Sequence, residues 1–308
     1  MKHRKLLPLF ALCGLTLGCV LWKSNAAPTT AIPEKPVPWP GEAHVYKTVA
    51  GRDLRLWVVR PASWKGRDKR PGAVFFHGGG WIGGVPGQFA KHAEHFAARG
   101  MVCVLVEYRL LKPNDGQTPT FPIQDAKSAM RWVRGRAADL GIDPNRIAAG
   151  GGSAGGHLAA FASMAEGLDD PQDDQSISPR GDAMLLWNPV LDNGPKGWSH
   201  GRVGARFREF SPAHNISGDD PPAIVMLGTQ DNLIPVATIE KFKAEMEKAG
   251  VRCDAIFYPD QKHAFFNYNA QKPNPYFEQT LMAADEFLVS LGWLPKLPKA
   301  AESIQGRE

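Results

Sequence analysis

The sequence predicts an α/β protein: a mostly parallel, twisted sheet of about eight strands, helices on both faces and an antiparallel N-terminal edge. Three observations predict it. Strand-like runs, apolar apart from Glu107 and Arg146 at their ends, recur at 73–76, 102–107, 146–151, 183–187, 223–227 and 255–258, the pattern of strands buried on both faces. Helical periodicity separates most of them, at the spacing that parallel crossovers need. An alternating pair at 44–49 and 54–60, around Ala50-Gly51-Arg52-Asp53, reads instead as a hairpin.

Each element carries its own signal. Prolines at 28, 33, 36, 38 and 40 make 27–43 an extended linker. Residues 61–71 are polar and loop-like. The run 73–76 ends in His77-Gly78-Gly79-Gly80-Trp81. A helix is expected over 88–98, closed by Gly100. The long helix 123–136 carries Ala129, Trp132 and Val133 on one face. The strand 146–151 runs into a glycine-flanked serine, with a helix over 154–165 beyond it. Helices over 236–249 and 276–291 follow the last two strands. The segment 164–181 is acidic and turn-rich, a surface loop. The segment 192–220 has no strong periodicity, and long irregular segments in compact domains are usually functional, so it is a candidate lid or substrate wall. The folded domain is expected over 44–293, with a tail over 294–308.

Of the 308 residues, 43% are hydrophobic, enough for a sizeable core. The basic start Met1-Lys2-His3-Arg4-Lys5, an apolar run over 6–22 and the small-residue site Ser24-Asn25-Ala26 form a secretory signal over 1–26, cleaved after Ala26. This predicts a secreted or periplasmic protein with no membrane span in its mature chain. The alternatives are lipoprotein processing at Cys19 and an uncleaved N-terminal anchor. Cleavage after Ala26 removes Lys2, Arg4, Lys5 and Lys23 and no acid, so the formal charge of +5 becomes +1. A nearly neutral chain has no electrostatic case for nucleic acid. Cys103 and Cys253 lie in apolar, strand-like runs and are expected to be buried free thiols. Neither C-x-x-C nor zinc spacing occurs.

The glycines around Ser153 fit two templates. Gly151-Gly152-Ser153-Ala154-Gly155 fits G-x-S-x-G, a strand-to-helix turn that exposes a nucleophilic serine. Gly150, Gly152 and Gly155 also spell the dinucleotide fingerprint G-x-G-x-x-G. That reading needs a ribose-binding acid at the end of the next strand. The strand 183–187 ends in Trp187-Asn188-Pro189, so the requirement fails. The nucleophile reading needs an acid and then a histidine past later strands, and an early glycine loop for an oxyanion. Asp231 follows 223–227, His263 follows 255–258, and His77-Gly78-Gly79-Gly80 follows 73–76.

With HGGGW, GGSAGGH, GTxDxxIP and a histidine followed by aromatics, the chain resembles the α/β-hydrolase family of HGGG-type esterases and lipases. The resemblance implies the α/β-hydrolase fold over 44–293. Few residues precede His77, which leaves no room for a large N-terminal helical cap, and Gly152 stands where the capped branch commonly has Asp. The sequence looks more like small secreted carbohydrate esterases, which implies acetyl or feruloyl esters of polysaccharide as substrates. The expected activity is that of a serine carboxylesterase on short acyl esters, with no cofactor and no metal. The other readings are a non-catalytic binding protein of the same fold and a lipase- or amidase-like hydrolase of small molecules.

In this reading Ser153 is the nucleophile, His263 the general base and Asp231 its orienting acid. Backbone N–H groups of Gly79, Gly80 and Ala154 form the oxyanion hole. Trp81 and Trp187 are candidates for the substrate pocket, with Trp81 equally readable as a core aromatic. Asp219 and Asp220 read as exposed loop. His92 and His95 read as a solvated helix face, with a metal pair as the alternative. His77 props the glycine loop, His157 packs, and Asp125 is a first-turn carboxylate favoured by the helix dipole.

Overall fold

In the computed structural model, which describes residues 39–297, the opening hairpin forms as β1 (Glu42–Val49) and β2 (Arg52–Val59). Ala50 and Gly51 join them at φ values of 49° and 78°. Two successive positive-φ residues make a turn whose twist suits the strands, so the connection is tighter than the sequence reading of 50–53. The expected signal over 1–26, its cleavage after Ala26, Cys19, most of the linker and residues 298–308 lie outside the described residues.

Six more strands follow: β3 (Arg70–Phe76), β4 (Val102–Val106), β5 (Ile142–Gly152), β6 (Ala183–Trp187), β7 (Ala223–Gly228) and β8 (Cys253–Tyr258). They form one sheet in the order β1-β2-β4-β3-β5-β6-β7-β8. β2 is antiparallel to both β1 and β4, and the rest run parallel. The helices are α1 (Ala90–Ala98), α2 (Thr120–Gly135), α3 (Ala137–Leu140), α4 (Ala154–Met164), α5 (His200–Val203), α6 (Val236–Lys248) and α7 (Pro275–Ser290). A 3₁₀ turn at Pro86–Phe89 takes the place of the first helical residues expected at 88. The segment 192–220 holds α5 and two 3₁₀ turns, Gly204–Glu209 and Pro212–His214.

The strand order explains where a site belongs. From β3 the chain crosses to β4 on one side, then returns past β3 to β5 on the other. Right-handed crossovers in opposite directions put their helices on opposite faces. Accordingly α1 and α7 pack on one face, with Phe96, Leu281 and Phe287 in its core, and α2, α4 and α6 on the other, with Met130, Phe161 and Phe242. The crevice at this switch point lies between the carboxyl ends of β3 and β5, where open α/β sheets bind ligands.

Three side chains depart from the sequence reading. His92 is not on a solvated face: it is fully buried on the inner side of α1, among Phe75, Phe89, Trp187 and Phe277. Only His95 reaches the rim, where it meets Asp285 at 3.0 Å. Asp220 is buried rather than exposed, accepting from Ser217 N–H at 2.8 Å and pairing with Arg180 at 3.2 Å, while Asp219 is exposed. Asp125 lies beyond the first turn of α2 and serves an ion-pair network: its carboxylate takes Arg109 at 2.7 Å and Lys47 of β1 at 3.0 Å. Cys103 and Cys253 are free and buried. Burial pushes the Cys253 thiol up to about 12 and the Cys103 thiol higher still.

Candidate active site

β5 ends in glycines, and the chain turns abruptly into α4 at Ser153, with φ 54° and ψ −119°. Three hydrogen bonds hold this conformation. Ser153 N–H donates to Trp187 O at 2.9 Å, and Ser153 O accepts from His157 N–H at 3.0 Å and Val190 N–H at 3.2 Å. A Cβ on Gly152 would run into the Phe266 ring, which fills the space that an aspartate would need there.

The backbone pairing of β7 and β8 continues past their strand ends. Thr229 N–H donates to Tyr258 O at 2.9 Å and Gln230 N–H to Gln261 O at 2.9 Å. The two loops are thereby knitted together, and they deliver Asp231 and His263 to one point. His263 Nδ1 donates to Asp231 Oδ2 at 2.7 Å, and Ser153 Oγ donates to His263 Nε2 at 2.9 Å. The Asp231 side chain is fully buried and that of His263 is 16% exposed. Asp231 Oδ1 accepts from Leu233 N–H at 2.8 Å and Ile234 N–H at 2.9 Å, so each carboxylate oxygen has a fixed partner.

The glycine loop after β3 faces the serine. Gly79 (φ 117°) and Gly80 (φ 63°) adopt backbone conformations that disfavour a side chain. Their N–H groups meet no acceptor among the described residues. Ala154, first residue of α4, has no intrahelical acceptor for its N–H either. These three donors and the adjacent positive end of α4 suit a developing negative charge. His77 props the loop as expected: its Nδ1 donates to Gly78 O at 2.8 Å, its ring stacks on Tyr108 at 4.2 Å, and burial lowers its pKa to about 4. His157 is also structural, donating from Nε2 to Phe210 O at 2.6 Å.

The structure thus gathers Ser153, Asp231, His263, Gly79, Gly80 and Ala154. It does not gather the two tryptophans. Trp187 points away from the serine into the core beneath α1, against Phe89 and Phe266, and contributes only its carbonyl. Trp81 is fully buried, wedged between His157 and Trp198, so it is a core aromatic. The partly exposed residue there is Trp198, whose ring edge would lie 3.5 Å from a Cβ on Gly80.

Three positioning residues escaped the sequence reading. Trp198 comes from the segment 192–220, whose missing periodicity was its only signal. Asn188 directly follows β6, and its Oδ1 accepts from Ala264 N–H at 2.9 Å, tying the His263 loop to the sheet. Gln88 Oε1 accepts from Gly78 N–H at 2.6 Å and its Nε2 donates to Asn267 Oδ1 at 2.9 Å, bridging the glycine loop to the His263 loop. Among the described residues no three His, Cys, Asp or Glu side chains gather as metal ligands, and no helix is long and apolar enough to cross a membrane.

A serine at the turn after a central strand, with an acid and a histidine past later strands, defines an α/β hydrolase. The BD-FAE family model matches residues 60–186 and the dienelactone hydrolase family model residues 208–291. Esterase 2 of Thermogutta terrifontis, solved with propionate bound, is 42% identical and superposes with a TM-score of 0.78 over 84% of this chain and 97% of its own. A probable carboxylic ester hydrolase of Mycobacterium tuberculosis, LipM, is 28% identical over 242 residues, 70% of this chain and 53% of its own length. An acetylxylan esterase of Xylanibacter ruminicola is 28% identical over 227 residues, 66% of this chain and 41% of its own. The chain spans about half the length, or less, of these curated relatives. It belongs to the α/β-hydrolase esterases.

Proposed function

We propose that the protein is a serine carboxylesterase that cleaves short-chain acyl esters, among them acetyl or feruloyl esters on polysaccharide, and that the signal over 1–26 exports it. The observation that carries this reading is the continuous chain Ser153 Oγ to His263 Nε2 (2.9 Å) and His263 Nδ1 to Asp231 Oδ2 (2.7 Å).

The chemistry follows from those contacts. A serine hydroxyl is a weak nucleophile at neutral pH. His263 accepts the Ser153 proton as Oγ attacks the ester carbonyl, and Asp231 stabilises the imidazolium that forms. The carbonyl oxygen becomes an anion facing the N–H groups of Gly79, Gly80 and Ala154; losing one such donor typically costs about 10²–10³ in rate. His263 returns its proton to the departing alcohol, and water repeats the cycle on the acyl-enzyme. The acetylxylan esterase among the relatives supports the polysaccharide part of the reading.

The test is Ser153→Ala assayed on p-nitrophenyl acetate. We expect kcat to fall by at least about 10³-fold with an unchanged circular dichroism spectrum. Equal turnover by both proteins sinks the reading.

A further inference from the structure

One short segment touches both partners of the proton transfer. Trp187 O accepts from Ser153 N–H at 2.9 Å and Val190 N–H donates to Ser153 O at 3.2 Å, so the stretch around the end of β6 grips the backbone of the nucleophile. Asn188 lies between those two contacts. It is fully buried, holds a positive φ of 36° and donates its N–H to Met226 O at 2.7 Å. Its side chain turns to the other partner. Oδ1 accepts from Ala264 N–H at 2.9 Å, and that bond fixes which way round the amide stands. Nδ2 therefore faces His263 Nε2, 3.5 Å away. Among the described residues Nδ2 meets no other acceptor.

That distance is long for a hydrogen bond, and the resting imidazole accepts from the Ser153 hydroxyl, at 2.9 Å. The amide acts at the next step. Once Nε2 has taken the serine proton it becomes a donor, with Nδ1 already committed to Asp231 at 2.7 Å. Toward β6 it then meets only another N–H. The proton is kept to the open side of the ring, where Oγ and the departing oxygen lie. An acceptor in the place of Nδ2 would compete for it, and hydrogen bonds from charged donors are the strong ones.

We propose that Asn188 is a positioning residue for the imidazolium: its amide hydrogens deny Nε2–H an acceptor on the β6 side and so direct the proton to the leaving alcohol. The proposal rests on the serine esterase reading above and concerns one step of it. In that step the acyl C–O bond breaks and its electron pair goes to the alcohol oxygen. The proton on His263 Nε2 moves to the same oxygen, and the acyl group stays on Ser153 Oγ. The tether to Ala264 is a separate role of the same side chain, carried by Oδ1.

The experiment separates the two roles by leaving group. Ethoxide is too basic to depart without a proton, whereas p-nitrophenolate leaves as an anion. Asn188→Asp keeps an oxygen for Ala264 N–H and puts an acceptor where Nδ2 stands. Asn188→Leu removes the tether and supplies no acceptor. kcat/KM is measured for ethyl acetate by pH-stat and for p-nitrophenyl acetate by absorbance. Both esters form the same acetyl-enzyme, and their ratio does not depend on how much of a variant is folded. We expect Asn188→Asp to lower the ethyl-to-nitrophenyl ratio about tenfold or more, and Asn188→Leu to slow both esters alike. Equal slowing of the two esters by Asn188→Asp, or the same change of ratio in Asn188→Leu, overturns the assignment and leaves the esterase reading, which Ser153→Ala tests, intact. Wild-type cleavage of p-nitrophenyl acetate alone also overturns it, since no proton delivery to an alcohol is then left for Asn188 to direct. Cleavage of neither ester by the wild type overturns both.

Discussion

Ser153 holds a positive φ that costs a residue with a Cβ about 1–3 kcal/mol, and the backbone bonds to Trp187, His157 and Val190 keep it there. The strain turns the hydroxyl toward His263. Asp231 is equally constrained, since its two oxygens serve Leu233, Ile234 and His263 separately. In Asp231→Asn the one carbonyl oxygen cannot serve both sides. If it keeps the loop N–H groups, the amide offers His263 a donor and forces the wrong tautomer. We expect kcat to fall by up to about 10⁴-fold while KM stays close to the wild-type value; steady-state kinetics on p-nitrophenyl acetate checks this, and a wild-type kcat removes Asp231 from the relay. These residues were legible in the sequence because each sits just past a strand, a position that local pattern reveals. Asn188 and Gln88 were not, because their roles depend on Ala264, Gly78 and Asn267, which only the folded chain brings to them.

At the scale of elements, the strands were read well because burial on both faces leaves unbroken apolar runs. Boundaries shifted where pairing partners decide them: β5 starts at Ile142 because Arg70 pairs with it. Helix α1 misled for a physical reason. Positions 92 and 95 share one stripe, but the stripe straddles the edge of the core, so His95 reaches Asp285 while His92 goes inside. The segment 192–220 was the least legible, since side-chain contacts rather than periodic backbone bonds shape it. Asn193 Nδ2 donates to Trp198 O at 2.9 Å, and the Trp198 ring leans on Trp81 at 5.2 Å, so this irregular stretch forms a fixed wall over Gly80. We expect that wall to limit the length of the acyl chain. Trp198→Ala should raise kcat/KM for p-nitrophenyl hexanoate relative to the acetate by about tenfold or more. An unchanged ratio would mean that the acyl chain runs elsewhere.

For the whole molecule, three buried imidazoles set a response to acid. Burial lowers the pKa of His77 and His157 to about 4 and of His92 to about 3, against about 6.5 for an unfolded histidine. Above pH 6.5 both states are neutral and these groups contribute nothing. Below it the unfolded chain binds protons that the native one refuses, so stability falls from about pH 6.5 toward pH 4. His92 is the clearest case, because neither ring nitrogen has a hydrogen-bond partner and its neighbours are aromatic. His92→Phe should therefore lose less of its thermal midpoint between pH 7 and pH 5 than the wild type does. Melting curves at the two pH values measure this, and equal losses contradict it.

The same sheet order decides the state of the two cysteines. Cys103 lies on β4 and Cys253 on β8, with β3, β5, β6 and β7 between them. At about 4.8 Å per strand they are roughly 24 Å apart, several times the reach of a disulfide. The native sheet therefore holds the two sulfurs too far apart to bridge. The native state of the domain over 39–297 thus holds both cysteines as buried thiols, and its stability owes nothing to a disulfide between them.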